Sequence, residues 1–191
     1  MIRHTITTMI AAATFTMAGA QNTAVPAPEF KNKIYFVSKT NTLDALDNTG
    51  LLWTAKSKMM AGKMTYQLEA KGDAAAIAHS GSPKNRFIVK LEEGIDPTDA
   101  VELIQFDVNK GKRSINMGGA KAGAFSGAKM EDPEFTKFKF NVEKVQPGVY
   151  ILTPQTQLPD GEYAFVVDRA KAMPVMGSTL PAFCFSVGQG G

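Results

Sequence analysis

The chain has 191 residues, 21 of them Lys or Arg and 18 Asp or Glu, with 44% apolar residues and one cysteine. That apolar content excludes a disordered chain, the lone cysteine excludes an internal disulfide, and a net charge of +3 is too small for a general nucleic-acid binder.

Residues 1–20, MIRHTITTMIAAATFTMAGA, place Arg3 and His4 before an Ala-rich run closing on Ala18-Gly19-Ala20, the layout of a signal peptide cleaved after Ala20. The run is short and broken by threonines, against a spanning anchor, and no nearby cysteine could carry a lipid. Cleavage takes away one basic residue and no acid, leaving 171 residues with 20 basic against 18 acidic side chains. No later segment has the continuous apolar length of a transmembrane helix, so an exported product of the periplasm or cell surface is expected.

Residues 21–31, QNTAVPAPEFK, carry two prolines and no periodicity, and read as a flexible leader. A smaller β-rich subdomain is expected over 32–82, with strands at Ile34 to Ser38, Leu51 to Ala55, Met64 to Ala70 and Ala75 to Ser80. Between the first two, NTLDALDNTG is expected to form a short helical turn capped by Asn41 or Thr42. Its Asp44, Asp47 and Asn48 lack the ligand alternation and distal Glu of a calcium loop, so a polar turn is the simpler reading. Trp53, Lys56, Lys58, Lys63 and Tyr66 interleave aromatics with lysines across one hairpin, a candidate aromatic and basic face.

Residues 83–191 are expected to form a seven-stranded immunoglobulin-like sandwich, the class of the whole being all-β. Arg86 to Leu91 puts Phe87, Val89 and Leu91 on one face, and Glu102 to Val108 does so with Ile104, Phe106 and Val108. Asn109-Lys110-Gly111 reverses the chain into a strand from Lys112 to Met117. The other four strands are Lys137 to Val142, Val149 to Thr153, Glu162 to Asp168 and Ala182 to Val187. Leu158-Pro159-Asp160-Gly161-Glu162-Tyr163 has the form of a tyrosine corner, in which a Tyr opening the penultimate strand bonds back to upstream backbone.

Met117 to Lys129, MGGAKAGAFSGAK, fails as a phosphate loop in spacing and hydroxyl, and its lysines bar a membrane zipper. It is expected to be a long mobile loop and a candidate contact surface, through Gly118, Gly119, Lys121, Gly123, Phe125, Gly127 and Lys129.

Catalytic signals are sparse. No G-x-S-x-G elbow occurs, and after cleavage one His and one Cys are too few for a zinc site. His79 and Ser80 are adjacent on a strand and so point to opposite faces; a surface or turn role is expected for His79. Cys184, in PAFCFSV, is expected to be a small strand-borne residue rather than a nucleophile. No cofactor and no metal is expected.

IQFDVNKGKRSI, QPGVYILTP, LPDGEYAFVV and FCFSVG together resemble a pattern found in uncharacterised exported proteins of Gram-negative bacteria. The resemblance covers about Ser82 to Gly188 and implies a β-sandwich in the cell envelope, with no catalytic residues to carry over. Ser186-Val187-Gly188 departs from the Gly, aliphatic, Asp ending of similar sequences. The leading expectation is an exported, non-enzymatic module that binds another envelope protein or itself, with no nucleic acid partner. A carbohydrate-binding accessory protein that stacks a glycan on Trp53, Tyr66 or Tyr35 is the alternative, and a hydrolase with dispersed carboxylates a remote third.

Overall fold

A computed structural model of the chain describes residues 24–58, 62–123, 127–167 and 175–188. The chain forms β1 (Ile34–Val37), β2 (Leu43–Ala45), β3 (Asp47–Lys58), β4 (Lys63–Ala70), β5 (Ala78–His79) and β6 (Arg86–Lys90). One helical turn follows, α1 (Pro97–Ala100), with Pro97 in its first turn and Asp96 Oδ1 accepting from the Thr98 N–H at 2.8 Å. The chain continues as β7 (Val101–Gln105), β8 (Asp107–Asn109), β9 (Lys112–Gly123), β10 (Gly127–Glu131), β11 (Lys137–Phe138), β12 (Phe140–Gln146), β13 (Val149–Pro154), β14 (Gly161–Val167) and β15 (Thr179–Val187). The fold is all-β with sheets packed face to face. No helix among the described residues is long and apolar enough to cross a membrane.

One sheet has five strands in the order β12-β13-β6-β1-β2; the other has ten, running β10-β9-β4-β3-β15-β14-β7-β11 with β5 on β15 and β8 on β9. β8 resumes one residue after β7 and pairs with β9, so the pairings of β9, β4, β3, β15, β14 and β7–β8 run round in a ring. Strands from 32–82 and from 83–191 share both sheets, β1 lying beside β6 and β3 beside β15.

Alternation along β14 and β15 explains why both are buried on both faces. Ala164, Val166, Ala182 and Cys184 point into the ring, where they meet Leu51, Trp53, Leu68, Ile104, Phe106 and Ile115. Small residues recur there because a ring of so few strands has little interior room. Tyr163, Phe165, Phe183 and Phe185 point the other way, onto Phe87, Val89 and Leu152 of the five-stranded sheet. Phe87 packs edge-on to Phe165 with centroids 4.8 Å apart, and each buried Phe contributes about 1.5–3 kcal/mol. On the far side of the five-stranded sheet, Val37, Ile88, Val149 and Ile151 are covered in part by Val25.

The tyrosine corner is present: Tyr163 Oη, fully buried, donates to the Pro159 carbonyl at 2.7 Å. So is the hairpin at 109–112, where Lys110 and Gly111 both take positive φ and Asn109 pairs with Lys112.

Two local expectations are corrected. NTLDALDNTG is not helical: Leu43–Ala45 is β2, paired with β1, and Asp47 opens β3. MGGAKAGAFSGAK is not a long loop, because Lys112–Gly123 and Gly127–Glu131 pair as a hairpin, with residues 124–126 outside the described set. Glycine is required here. β9 bulges opposite Tyr66, Gly118 takes φ 86°, and a Cβ on Gly119 would collide with the Met64 carbonyl of β4.

Candidate binding surfaces

The outward face of β3, β4, β9 and β10 follows from alternation. Leu68 and Ala70 of β4 go into the core, which turns Lys63, Thr65, Gln67 and Glu69 outward. Opposite Lys63 lies Lys121 of β9, and opposite Lys121 lies Lys129 of β10. Lys58 of β3 holds the register position on the other side of Lys63. Lysines thus occupy one register row across four adjacent strands, spanning about 14 Å at the usual strand spacing.

The structure therefore brings the two candidate sets together on one face: Lys56, Lys58 and Lys63 from the first, Lys121 and Lys129 from the second. It does not bring the aromatic rings with them. Trp53 is 7% exposed and packs inside the ring, and Tyr66 is half-buried against the same cluster. A stacking platform needs a free ring face, so Trp53 is not available for one. Tyr35 packs against the far side of the five-stranded sheet. Gly118 and Gly119 are buried in the bulge, Gly123 pairs with Gly127, and Phe125 lies outside the described residues.

Beside the row is a groove of about 990 Å³ whose lining includes Lys56, Lys63, Lys110, Lys112, Thr65 and Gln67. Glu69 takes Lys56 at 2.8 Å and Lys112 at 3.0 Å, and Glu131 takes Lys63 at 2.6 Å. Hydrogen bonding from Lys56, opposed by burial and helped by Lys112, holds the Glu69 carboxyl below its ordinary value. Among the described residues no carboxylate lies at ion-pair distance from Lys110, Lys121 or Lys129.

A second surface lies at the edge of the five-stranded sheet. Among the described residues β12 ends the five-stranded sheet and pairs with β13 alone, and all its residues after Phe140 are exposed. Val142 and Val145 are among its exposed apolar side chains. The chain crosses from β11, at the edge of the larger sheet, to β12 at Lys139. A cleft of about 450 Å³ opens at that corner, walled mainly by Val101, Leu103, Phe138 and Phe140 with Lys137 and Glu102 at its rim.

The remaining chemistry-bearing residues are used in packing. Cys184 is buried in the ring, and burial pushes its thiol up to about 11. His79 is not a surface histidine: it is half-buried and stacks on Phe36 with centroids 3.9 Å apart. Burial lowers its pKa, Asp44 opposing, and Nε2 is shielded without a hydrogen-bond partner.

Inside one end of the ring sits a polar cluster that the sequence reading did not pick out. Glu162 accepts from the Ala75 N–H at 2.7 Å and from the Ser186 hydroxyl, and its Oε2 lies 3.6 Å from Arg113 Nη1. Arg113 Nη2 donates to the Lys71 carbonyl at 2.9 Å, and the guanidinium lies over Phe106. These bonds tie residues 71–75 to the ring. The signal was available, since Arg113 shares its strand face with Ile115 and Met117. Among the described residues no cluster of three or more His, Cys, Asp or Glu is placed to hold a metal.

The chain matches no protein-family model, no curated protein and no solved structure.

Proposed function

We propose that this protein is an exported, non-enzymatic binding and assembly module of the Gram-negative cell envelope, taking an extended segment of another envelope protein as an added strand on β12. The observation that carries the reading is the free edge of β12 lying beside an apolar cleft. In strand addition the backbone of the edge supplies the hydrogen bonds and a neighbouring pocket supplies side-chain selectivity. Here the pocket is the corner cleft, and an apolar anchor of the incoming strand enters between Phe138 and Phe140.

The β12 edge carries the devices that limit unspecific pairing. Glu143 and Lys144 interrupt its apolar residues, and the register shifts by a bulge between Lys144 and Gln146. That leaves Phe140 to Lys144 as the usable template. Export rests on the signal-like residues 1–20 and on the resemblance of the C-terminal strands to exported envelope proteins.

Proline replacement tests the reading. Successive N–H groups on a strand point to opposite sides, so of Val142→Pro and Glu143→Pro one removes a bond to β13 and the other removes only a donor from the free edge. The free-edge variant is expected to keep its circular dichroism spectrum and melting temperature while losing its complex on native gels of envelope extracts. A folded variant at each position that still forms the complex refutes strand addition on β12.

A further inference from the structure

The lysine row on the larger sheet is a separate matter from the β12 edge and stands without it. Like charges directly opposite on neighbouring strands oppose sheet formation, yet here Lys63, Lys121 and Lys129 face one another on three strands, with Lys58 at the fourth register position. Glu131 offsets Lys63 alone. Lys56 and Lys112 share the single carboxylate of Glu69, and Lys110 at the hairpin tip has no described acidic partner. The face therefore holds a surplus of positive charge, arranged as a line and bordered by a groove.

The lining of that groove discriminates among anions. Single-stranded nucleic acids are held by cations together with aromatic platforms, and none of the described residues lining this groove is aromatic. A lipid surface is engaged by several apolar side chains on the basic face, whereas the described lining of this groove has one, Val108, and the exposed Met64 and Met130 sit in the next register row, Met64 to Ala120 to Met130, on the reverse side of the same strands. What accompanies the lysines is Thr65, Gln67, Asn109 and Ser114, with Val108 and the Asp107 carboxylate. A sugar hydroxyl can donate to the Asp107 carboxylate, while a ligand carboxylate or phosphodiester has no proton to give it.

We propose that the lysine row and its groove bind a linear anionic polysaccharide, laid across β3, β4, β9 and β10 with its carboxylates on the lysines and its hydroxyls on the Thr65, Gln67 and Ser114 wall. The strand spacing of about 4.8 Å repeats the cations at close to the length of one pyranose unit, so successive acidic sugars meet successive strands.

The test uses the purified protein with an oligogalacturonate, neutral dextran, a single-stranded oligonucleotide, and phosphatidylglycerol-containing vesicles as probes. Oligogalacturonate is expected to bind and dextran not to bind, with affinity falling as salt rises. The Lys121→Gln/Lys129→Gln double variant should bind about tenfold more weakly, since one exposed charge contact contributes up to about fivefold. Lys84→Gln, outside the face, should bind as wild type, and neither variant should melt below wild type, since the double variant only relieves like-charge repulsion. Failure of oligogalacturonate to bind overturns the proposal, as does undiminished binding by the double variant. Tighter binding of the oligonucleotide or of the vesicles, lost in the double variant, overturns the choice of polysaccharide.

Discussion

Replacing Glu162 by Ala should be among the most damaging single changes to this fold. Glu162 and Arg113 are 8% and 1% exposed, and the carboxylate is the only described acidic group paired with that guanidinium. Its removal leaves a buried charge uncompensated and strips the acceptor from the Ala75 N–H and the Ser186 hydroxyl. Breaking a buried pair from one side costs about 3–5 kcal/mol, and at about 2–4 °C per kcal/mol for a chain of this size the melting temperature falls by about 10 °C. Glu162→Gln keeps an acceptor oxygen and should lose about half as much. Arg113→Met added to Glu162→Gln replaces both charges with neutral groups and should recover most of the loss, because the desolvation cost goes with the pair. Urea unfolding followed through Trp53, the one tryptophan and buried in the same ring, measures all four proteins. A loss under about 1 kcal/mol for Glu162→Ala, or no recovery on adding Arg113→Met, would refute the assignment of this pair as the tie between residues 71–75 and the ring.

Three further outcomes are expected. Gly119→Ala should lower stability by about 2 kcal/mol or more, because its Cβ meets backbone that cannot move without breaking the β4–β9 ladder; denaturant midpoints measure it against Gly94→Ala, where a Cβ meets nothing within 4 Å although φ is +85°. His79 has a pKa below that of the unfolded chain, so the unfolded state takes up its proton first. The stability that His79 contributes is present above pH about 6.5 and declines as pH falls from there towards the lower folded value; His79→Phe, which keeps a ring against Phe36, should flatten that slope in melts at successive pH values. The Cys184 thiol, pushed up to about 11, should resist a thiol reagent at pH 8 until urea unfolds the protein.

The strands were legible because alternation is local. Phe87 and Val89, Phe183 and Phe185, and the Pro159 to Tyr163 corner all lie where their own neighbours put them. What was lost depended on partners distant in sequence. The Gly and Ala residues after Met117 have low strand propensity, and they are strands because β4 lies alongside, supplying hydrogen bonds that no property of the segment announces. Likewise TLDALD has helical composition, yet pairing with β1 decides its conformation. The row of Lys58, Lys63, Lys121 and Lys129 is invisible to a local reading for the same reason, since it joins residues from two hairpins through a bulged register. Trp53 was a different kind of miss. It alternates with Leu51 and so shares its inward face, and reading it beside the lysines set composition above parity.

Strand addition makes β12 the edge that touches the envelope partner. A photo-crosslinking amino acid placed at Val142 or Lys144 in the full-length protein, and at Asp44 on the opposite edge strand β2 as a comparison, tests it directly in intact cells. One discrete adduct with an envelope protein is expected from the two β12 positions, absent from Asp44 and abolished by the folded free-edge proline variant. The same adducts from Asp44, or none from either β12 position, would contradict it.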